Sequence, residues 1–398
     1  MKNMLVILPW IPYPLKSGGN QAVFNGIQSI KDKYNVSVFC IDYMPWRGKK
    51  FLSILRHEFA SVKMYVSWDY KIVLDEIVRK VLGKKFDYKY LNMLSFRQYS
   101  SGIIARINEI IKQDKIDCVQ IEMFDGLSIV EKIPLNMKKI FVHHEIRFLL
   151  GEQILNFVKN TSQFLDKLNK ERNKEIALLN KFDLVITLSE SDKVVLEKEG
   201  LNTKCYSSFA AVSSSCPQKS YSNYYKKKLA FVGPEQHLPN KEGLLWFLEK
   251  CWNDIKKIDD EYSLNVVGFW SEGTEKRIKE KYKDVCFCGF VENLADLLND
   301  SIMIVPIFAG SGIRMKILES AQMRVPFVST SIGNSGLLFE SERDCLIADD
   351  SASFVKAIFR MENDEFRKKI TNSAYEVFAV NYSLSALKEN RLNILKKI

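Results

Sequence analysis

Arg314, Lys316 and Glu319 follow closely on the turn Ala309-Gly310-Ser311-Gly312 and together supply two cations and a carboxylate. On a helix, Lys316 and Glu319 are three apart and share a face, while Arg314 falls on the opposite flank of the apolar stripe. A cation near the turn suits a phosphate, and a carboxylate one turn later suits ribose hydroxyls, so the set fits a nucleoside diphosphate. A helix opening at this turn leaves the backbone N–H groups of Gly312, Ile313, Arg314 and Met315 without intrahelical partners, and the macrodipole adds partial positive charge there. An anion belongs at such an end. By itself the turn reads better as an ordinary strand-to-helix connection with two solvated cations, because glycine turns alone are weak evidence.

The elements around the turn are legible from hydrophobic periodicity. The apolar run 302–308 predicts a strand buried on both faces, and from Ile313 apolar residues recur at helical spacing through Ile317 and Ala321. The chain opens on the same plan. Met4-Leu-Val-Ile-Leu-Pro9 predicts a buried strand, Gly18-Gly19 lets backbone approach a ligand closely, and 21–31 is amphipathic. Further strands are expected at 35–41, 117–122, 139–147, 182–189, 229–233, 264–268 and 285–289, with helices that include 155–181 and 243–251. Ser189-Glu-Ser-Asp192 reads as a helix cap. Strand alternating with helix in both halves predicts an α/β protein with two Rossmann-like sheets facing a central cleft.

A chain of 398 residues exceeds the size at which one core keeps growing, so two domains are expected. Residues 213–228 are polar, lack apolar periodicity and end in three lysines, so the expected boundaries are a first domain at 1–215, a linker at 216–228 and a second domain from 229. No apolar run reaches the roughly 18 residues of a spanning helix, and the start passes straight into Pro9 without a signal-peptide layout, which implies the cytoplasm. The eight cysteines show neither a disulfide framework nor a zinc spacing. A formal charge of +10 favours an anionic partner. The segment 45–98 is basic and aromatic with no clean strand pattern, with Lys49, Lys50, Arg56 and Lys63 interleaved with Phe51, Phe59, Tyr65 and Trp68. It reads either as amphipathic helices covering the sheet or as a surface for an anionic membrane, such as the inner face of the plasma membrane. No helix-turn-helix, zinc module or RNP-like strand accompanies the charge, so nucleic acid is not expected as a partner.

Residues 306–319, then Val325-Pro-Phe-Val-Ser-Thr330 and Gly333-Asn-Ser-Gly-Leu337, resemble in order and spacing the donor region of retaining glycosyltransferases of GT-B fold, the large family-four group also called glycosyl transferases group 1. The resemblance implies a second domain at 229–378 that binds a nucleoside diphosphate sugar, and terminal helices that bend at Asn381-Tyr-Ser383 so that 379–398 packs on the first domain. It implies that Ser311, Gly312, Ile313 and Met315 line the donor, that Phe290, Val291 and Leu294 hold its base, and that Gly18 and Gly19 face its phosphates from the first domain. His144 stands where the family carries a histidine beside the sugar, at the end of a strand where open sheets bind ligands.

The match has gaps. Only the second glutamate of the family's Glu-x7-Glu pair is present, as Glu319, because Ser311 occupies the first position, and Ser335 stands where the family's Gly-x-Glu-Gly-Leu has its carboxylate. The family's arginine after the second domain's first glycine is missing, since Pro234 follows Gly233, and its partner lysine aligns equally with Lys241 or Asn240. Counter-charge for the leaving diphosphate is then expected from Arg314 and Lys316, each good donor lowering the barrier by roughly 3 kcal/mol. The resemblance further implies transfer with retention by a front-face route, in which the leaving phosphate takes the acceptor's proton and His144 positions the sugar. No Asp-x-Asp motif lies in a strand-end loop, so no metal or cofactor is expected. The substrate is a nucleotide sugar, with a UDP-sugar favoured, and the acceptor a glycan or lipid-linked oligosaccharide of bacterial surface-polysaccharide assembly. Two rivals stand beside this reading: a non-catalytic GT-B subunit that binds a partner or glycan, and a GT-B epimerase or phosphorylase.

Overall fold

The computed structural model describes residues 1–15, 17–42, 45–82, 94–153, 155, 161–212, 225, 227–291 and 293–398. The chain divides into two compact units, Met1–Ala211 with Leu384–Ile398, and Val212–Ser383. Most of the expected linker 216–228 lies outside the described residues, and its last residue, Lys228, opens a strand.

The first unit carries seven strands, β1 (Asn3–Leu8), β2 (Asn35–Asp42), β3 (Lys63–Trp68), β4 (Cys118–Glu122), β5 (Lys138–His143), β6 (Leu184–Thr187) and β7 (Cys205–Ser207). They form one sheet in the order β3-β2-β1-β4-β5-β6-β7, every pairing parallel. A parallel sheet is covered on both faces, and Met4 to Ile7 in β1 are accordingly fully buried. The second unit repeats the plan with β8 (Lys228–Val232), β9 (Ser263–Val267), β10 (Val285–Gly289), β11 (Ser301–Val305), β12 (Phe327–Ser329) and β13 (Leu346–Ile347), in the order β10-β9-β8-β11-β12-β13, again all parallel. In each sheet the direction of winding reverses between the first and fourth strands in chain order, so β1/β4 and β8/β11 are topological switch points. Open α/β sheets bind ligands in the crevice outside the strand ends at that place.

Several boundaries differ from the sequence expectation. The basic segment 45–98 does contain a strand. β3 is an edge strand of mostly half-exposed residues, so its apolar alternation is diluted by Lys63 and Ser67. Helices Pro45–Glu58 and Tyr70–Leu82 flank it, and residues 83–93 lie outside the described part. The helix expected over 243–251 starts earlier, at Leu238, because Pro239 in the first turn needs no amide partner. The helix expected over 155–181 is described as Thr161–Leu179. Helices Asp364–Asn381 and Leu384–Leu395 are interrupted at Tyr382 and Ser383, where the buried Tyr382 hydroxyl accepts from Leu338 N at 2.8 Å. Leu384–Leu395 then packs against helix Gly18–Ile30 in the first unit.

Candidate functional site

In the second unit, β11 ends at Val305 and the chain turns through Gly310 and Gly312, both in left-handed backbone with φ of 125° and 71°. Arg314 closes the turn. Its Nη1 donates to the carbonyls of Ser311 (2.9 Å) and Gly312 (2.6 Å), and Nη2 donates to that of Gly310 (2.9 Å). Arg314 is itself extended, at φ −94° and ψ 93°, so the helix begins at Met315 and not at Ile313 as the periodicity predicts. Capturing three carbonyls holds the guanidinium and delays the helix by two residues. Ser311, Gly312 and Ile313 therefore belong to the turn, and Met315 and Lys316 open the helix Met315–Gln322.

Lys316 reaches across to the helix that follows β8. Its Nζ donates to Asn240 Oδ1 at 2.8 Å and lies 5.1 Å from the centre of the Phe231 ring. Burial of the ammonium, with the Arg314 charge adding to it and Glu319 opposing, brings its pKa down to about 7. A lysine that is only part-charged at neutral pH, held by a neutral amide, is poised to gain from an arriving anion. Gly233 makes this contact geometrically feasible, because a Cβ there would stand 2.5 Å from the Asn240 side chain. Lys241 takes another course and pairs with Glu235 at 3.0 Å. Glu235 also accepts from Ser271 N and Thr274 Oγ1, both at 2.8 Å, and although burial raises its pKa these bonds hold it down to about 2. Of the two aligned candidates it is Asn240, not Lys241, that stands beside Lys316.

Glu319 is half-buried on the same helix. Phe290 is 54% exposed just past β10, Val291 is half-buried, and Leu294 opens the short helix Leu294–Leu298. Sequence reasoning passed over Phe269, which is 68% exposed just past β9, on the strand beside β10. An aromatic next to a strand-end glycine, Gly268-Phe269, was the available signal.

In the first unit, Gly18 and Gly19 open the helix Gly18–Ile30, with Ser17 Oγ capping Asn20 N at 3.2 Å. The preceding loop is tied down by Asn20, whose side chain accepts from Trp10 Nε1 and donates to Pro14 O. His144 stands one residue past β5, and its Nε2 lies 2.8 Å from Glu122 Oε2. Gln120 Nε2 donates to the other oxygen of Glu122 at 2.7 Å. The adjacent His143 faces a different carboxylate, Glu175, at 2.8 Å, with both side chains fully buried. Arg391, on the helix Leu384–Leu395, is buried and donates from Nε to Ser208 Oγ at 3.1 Å. Neither Glu122 nor Arg391 carries a local sequence signal. Among the described residues no group of three His, Cys, Asp or Glu side chains is arranged to hold a metal ion.

Two parallel doubly wound sheets, with polar and glycine-rich strand ends at both switch points, define a GT-B type of protein. Residues 226–364, within the second unit, match the family model described as Glycosyl transferases group 1. A Campylobacter jejuni protein named GalNAc-alpha-(1->4)-GalNAc-alpha-(1->3)-diNAcBac-PP-undecaprenol alpha-1,4-N-acetyl-D-galactosaminyltransferase is 24% identical over 86% of this chain and 91% of its own. An uncharacterized 44.6 kDa protein in the cps region of Klebsiella pneumoniae is 25% identical over 73% of this chain and 77% of its own. The crystal structure of Anabaena HepE in complex with UDP superposes with a TM-score of 0.71 over 100% of both chains at 13% identity, which establishes the shared fold.

Proposed function

We propose that this protein transfers a sugar from a nucleoside diphosphate sugar to a hydroxyl acceptor with retention of configuration. The observation that carries this reading is the Lys316 ammonium, held by Asn240 at the opening of the helix after the Gly-Ser-Gly turn. As the glycosidic bond opens, negative charge grows on the departing phosphate, and a donor already in place stabilises it without reorganising. The diphosphate lies against the amides of Met315 and Lys316 and the Lys316 ammonium, and Glu319 takes the ribose. Arg314 acts by shaping the turn, since its donors serve the carbonyls of residues 310–312. Phe290, Val291 and Leu294 bound the base, with Phe269 beside them. Gly18, Gly19 and His144 serve the sugar and acceptor side. No residue is assigned to a metal, and the counter-charge comes from lysine and backbone.

UDP is the favoured donor nucleotide, in keeping with the HepE complex. The acceptor is a lipid-linked oligosaccharide of bacterial surface-polysaccharide assembly, a choice supported by the names of the two relatives. A membrane surface also fits the first unit. Tyr70, Leu74, Ile77 and Val78 recur at helical spacing on Tyr70–Leu82, and all four are exposed, between 41% and 55%. Trp68, at the end of β3, is exposed as well, whereas Leu55 and Phe59 near the other helix are buried. No described helix is long and apolar enough to cross a membrane, so contact would be peripheral.

The test is calorimetric titration of UDP, GDP and ADP, followed by sugar release or transfer from the matching nucleotide sugars in wild type and Lys316→Met. Wild-type turnover that Lys316→Met abolishes supports the reading. Absence of binding and turnover with every nucleotide sugar overturns it. Nucleotide binding without any sugar release selects instead a non-catalytic GT-B subunit, the alternative favoured by Ser311 and Ser335 in place of carboxylates.

A further inference from the structure

Glu122 is the last residue of β4, the strand that flanks the switch point of the first sheet, and the chain leaves it through an unusual backbone. Met123 follows at φ 68°, left-handed for a bulky residue, and Gly19 approaches so closely that a Cβ there would meet Met123 Cε at 3.3 Å. Strain of this kind persists where the surroundings over-determine it, and it gathers at functional sites. The carboxylate is 1% exposed, yet both of its oxygens are engaged, Oε1 by Gln120 Nε2 at 2.7 Å and Oε2 by His144 Nε2 at 2.8 Å.

A carboxylate accepts, so the shared proton in the His144 contact sits on Nε2, and in the neutral ring the lone pair is on Nδ1. That Nδ1 is buried and has no hydrogen-bond partner among the described residues. Leaving an acceptor buried and unpaired costs about 1–3 kcal/mol, so the missing partner calls for an explanation in the protein's working state. Other charged groups near the ring are accounted for: Glu175 pairs with His143, and Glu145 lies 3.0 Å from Arg147. Arg391 adds a buried cation to this network: burial lowers its pKa, and the charge of Glu122 opposes that shift.

We infer that Glu122 is the positioning residue for His144, holding the imidazole through Nε2 so that Nδ1 accepts a hydroxyl of the transferred sugar or of the acceptor. The inference rests on the proposed sugar transfer for the identity of that hydroxyl, but the Glu122–His144 geometry stands independently of it. Arg391 is brought into the first unit by the last helix of the chain, so the charge balance of this network is completed only when Leu384–Leu395 has docked.

Two measurements test it. In the full-length wild-type protein, long-range ¹⁵N–¹H spectra of the histidine rings, with His144 assigned by His144→Gln, are expected to show the Nε2–H tautomer. An Nδ1–H tautomer overturns the inference. In Glu122→Gln the side-chain oxygen can still accept from Nε2 but the charge is gone. By analogy with metal-bound histidines, whose orienting partners are worth roughly 10–100-fold in activity, kcat is expected to fall by a factor of that order with UDP affinity unchanged. Glu122→Asp should recover part of the rate. An unchanged kcat in Glu122→Gln overturns the inference, and if that variant fails to fold, the tautomer seen in the wild-type spectrum decides between the two outcomes. A wild-type protein that neither binds nucleotide nor transfers sugar refutes the proposed function while leaving the ring spectrum to decide the geometry.

Discussion

The candidate phosphate site of the second unit is built largely from neighbours in sequence, with Gly310, Gly312, Arg314, Lys316 and Glu319 on one turn and one helix and Asn240 reaching Lys316 from a distant helix. The candidate site of the first unit is built from strangers: Gln120 and Glu122 on β4, His144 after β5, and Arg391 from the far end of the chain. Both stand at strand ends of the same Rossmann winding. The difference teaches that an anion needs little more than a helix start and a cation, which a short motif can encode. Orienting a histidine requires a buried carboxylate with its own partners, and a buried charge is tolerated only when several elements satisfy it together.

The largest expected effect that sharpens this contrast is on Lys316. Lys316→Met should lower transfer about 10²–10³-fold, the loss typical of one preorganised donor on a developing charge, with a parallel loss of UDP affinity by calorimetry. Transfer at the wild-type rate would remove the second unit's side of the comparison. Next comes Gly233→Ala, which forces a Cβ to within 2.5 Å of Asn240 and so displaces the partner of Lys316. Overpacking of this order costs about 1–3 kcal/mol, readable as a lower Tm and a weaker UDP complex.

Proton linkage gives the third effect. Lys316 has its pKa lowered from 10.5 to about 7 in the free protein, so above that pH the ammonium must be regained when a diphosphate binds. UDP affinity should therefore weaken by up to about tenfold per pH unit above neutrality, and Lys316→Met should flatten the profile. A slope that survives the substitution would assign the proton elsewhere. The same shift bears on stability: between the folded and unfolded values the unfolded chain binds more protons, so this residue's contribution rises with pH across that window. The smallest effect is at the exposed stripe of the first unit. Replacing Leu74 and Ile77 together by Ser should change stability by no more than about 0.5 kcal/mol per site while reducing sedimentation with anionic vesicles. Unaltered vesicle binding would leave the stripe without a membrane role.

The fold was legible because its signals are local. Buried parallel strands read as apolar runs, as 302–308 does, and the resemblance to the GT-B group 1 glycosyltransferases rested on contiguous motifs between Pro306 and Leu337 and is borne out by the family match and the shared fold. β3 escaped because an edge strand needs only one buried face, and lysine is at home on the other. The helix start was misplaced by two residues because periodicity does not reveal that Arg314 binds the carbonyls behind it. The alignment of Asn240 against Lys241 was undecidable from spacing alone, since which side chain faces Lys316 depends on how two helices lie over β8 and β11.

Local chemistry, then, was written in the chain itself: alternating strands and helices, the glycine turn, and a cation and carboxylate three residues apart at Lys316 and Glu319. Tertiary structure alone decided that Arg314 serves the turn, that Asn240 carries Lys316, and that Glu122 meets His144. The physical reason is range. Periodicity and turn propensity act over a few residues, whereas desolvation of a charge and the hydrogen bonds that compensate it depend on which elements are packed around it.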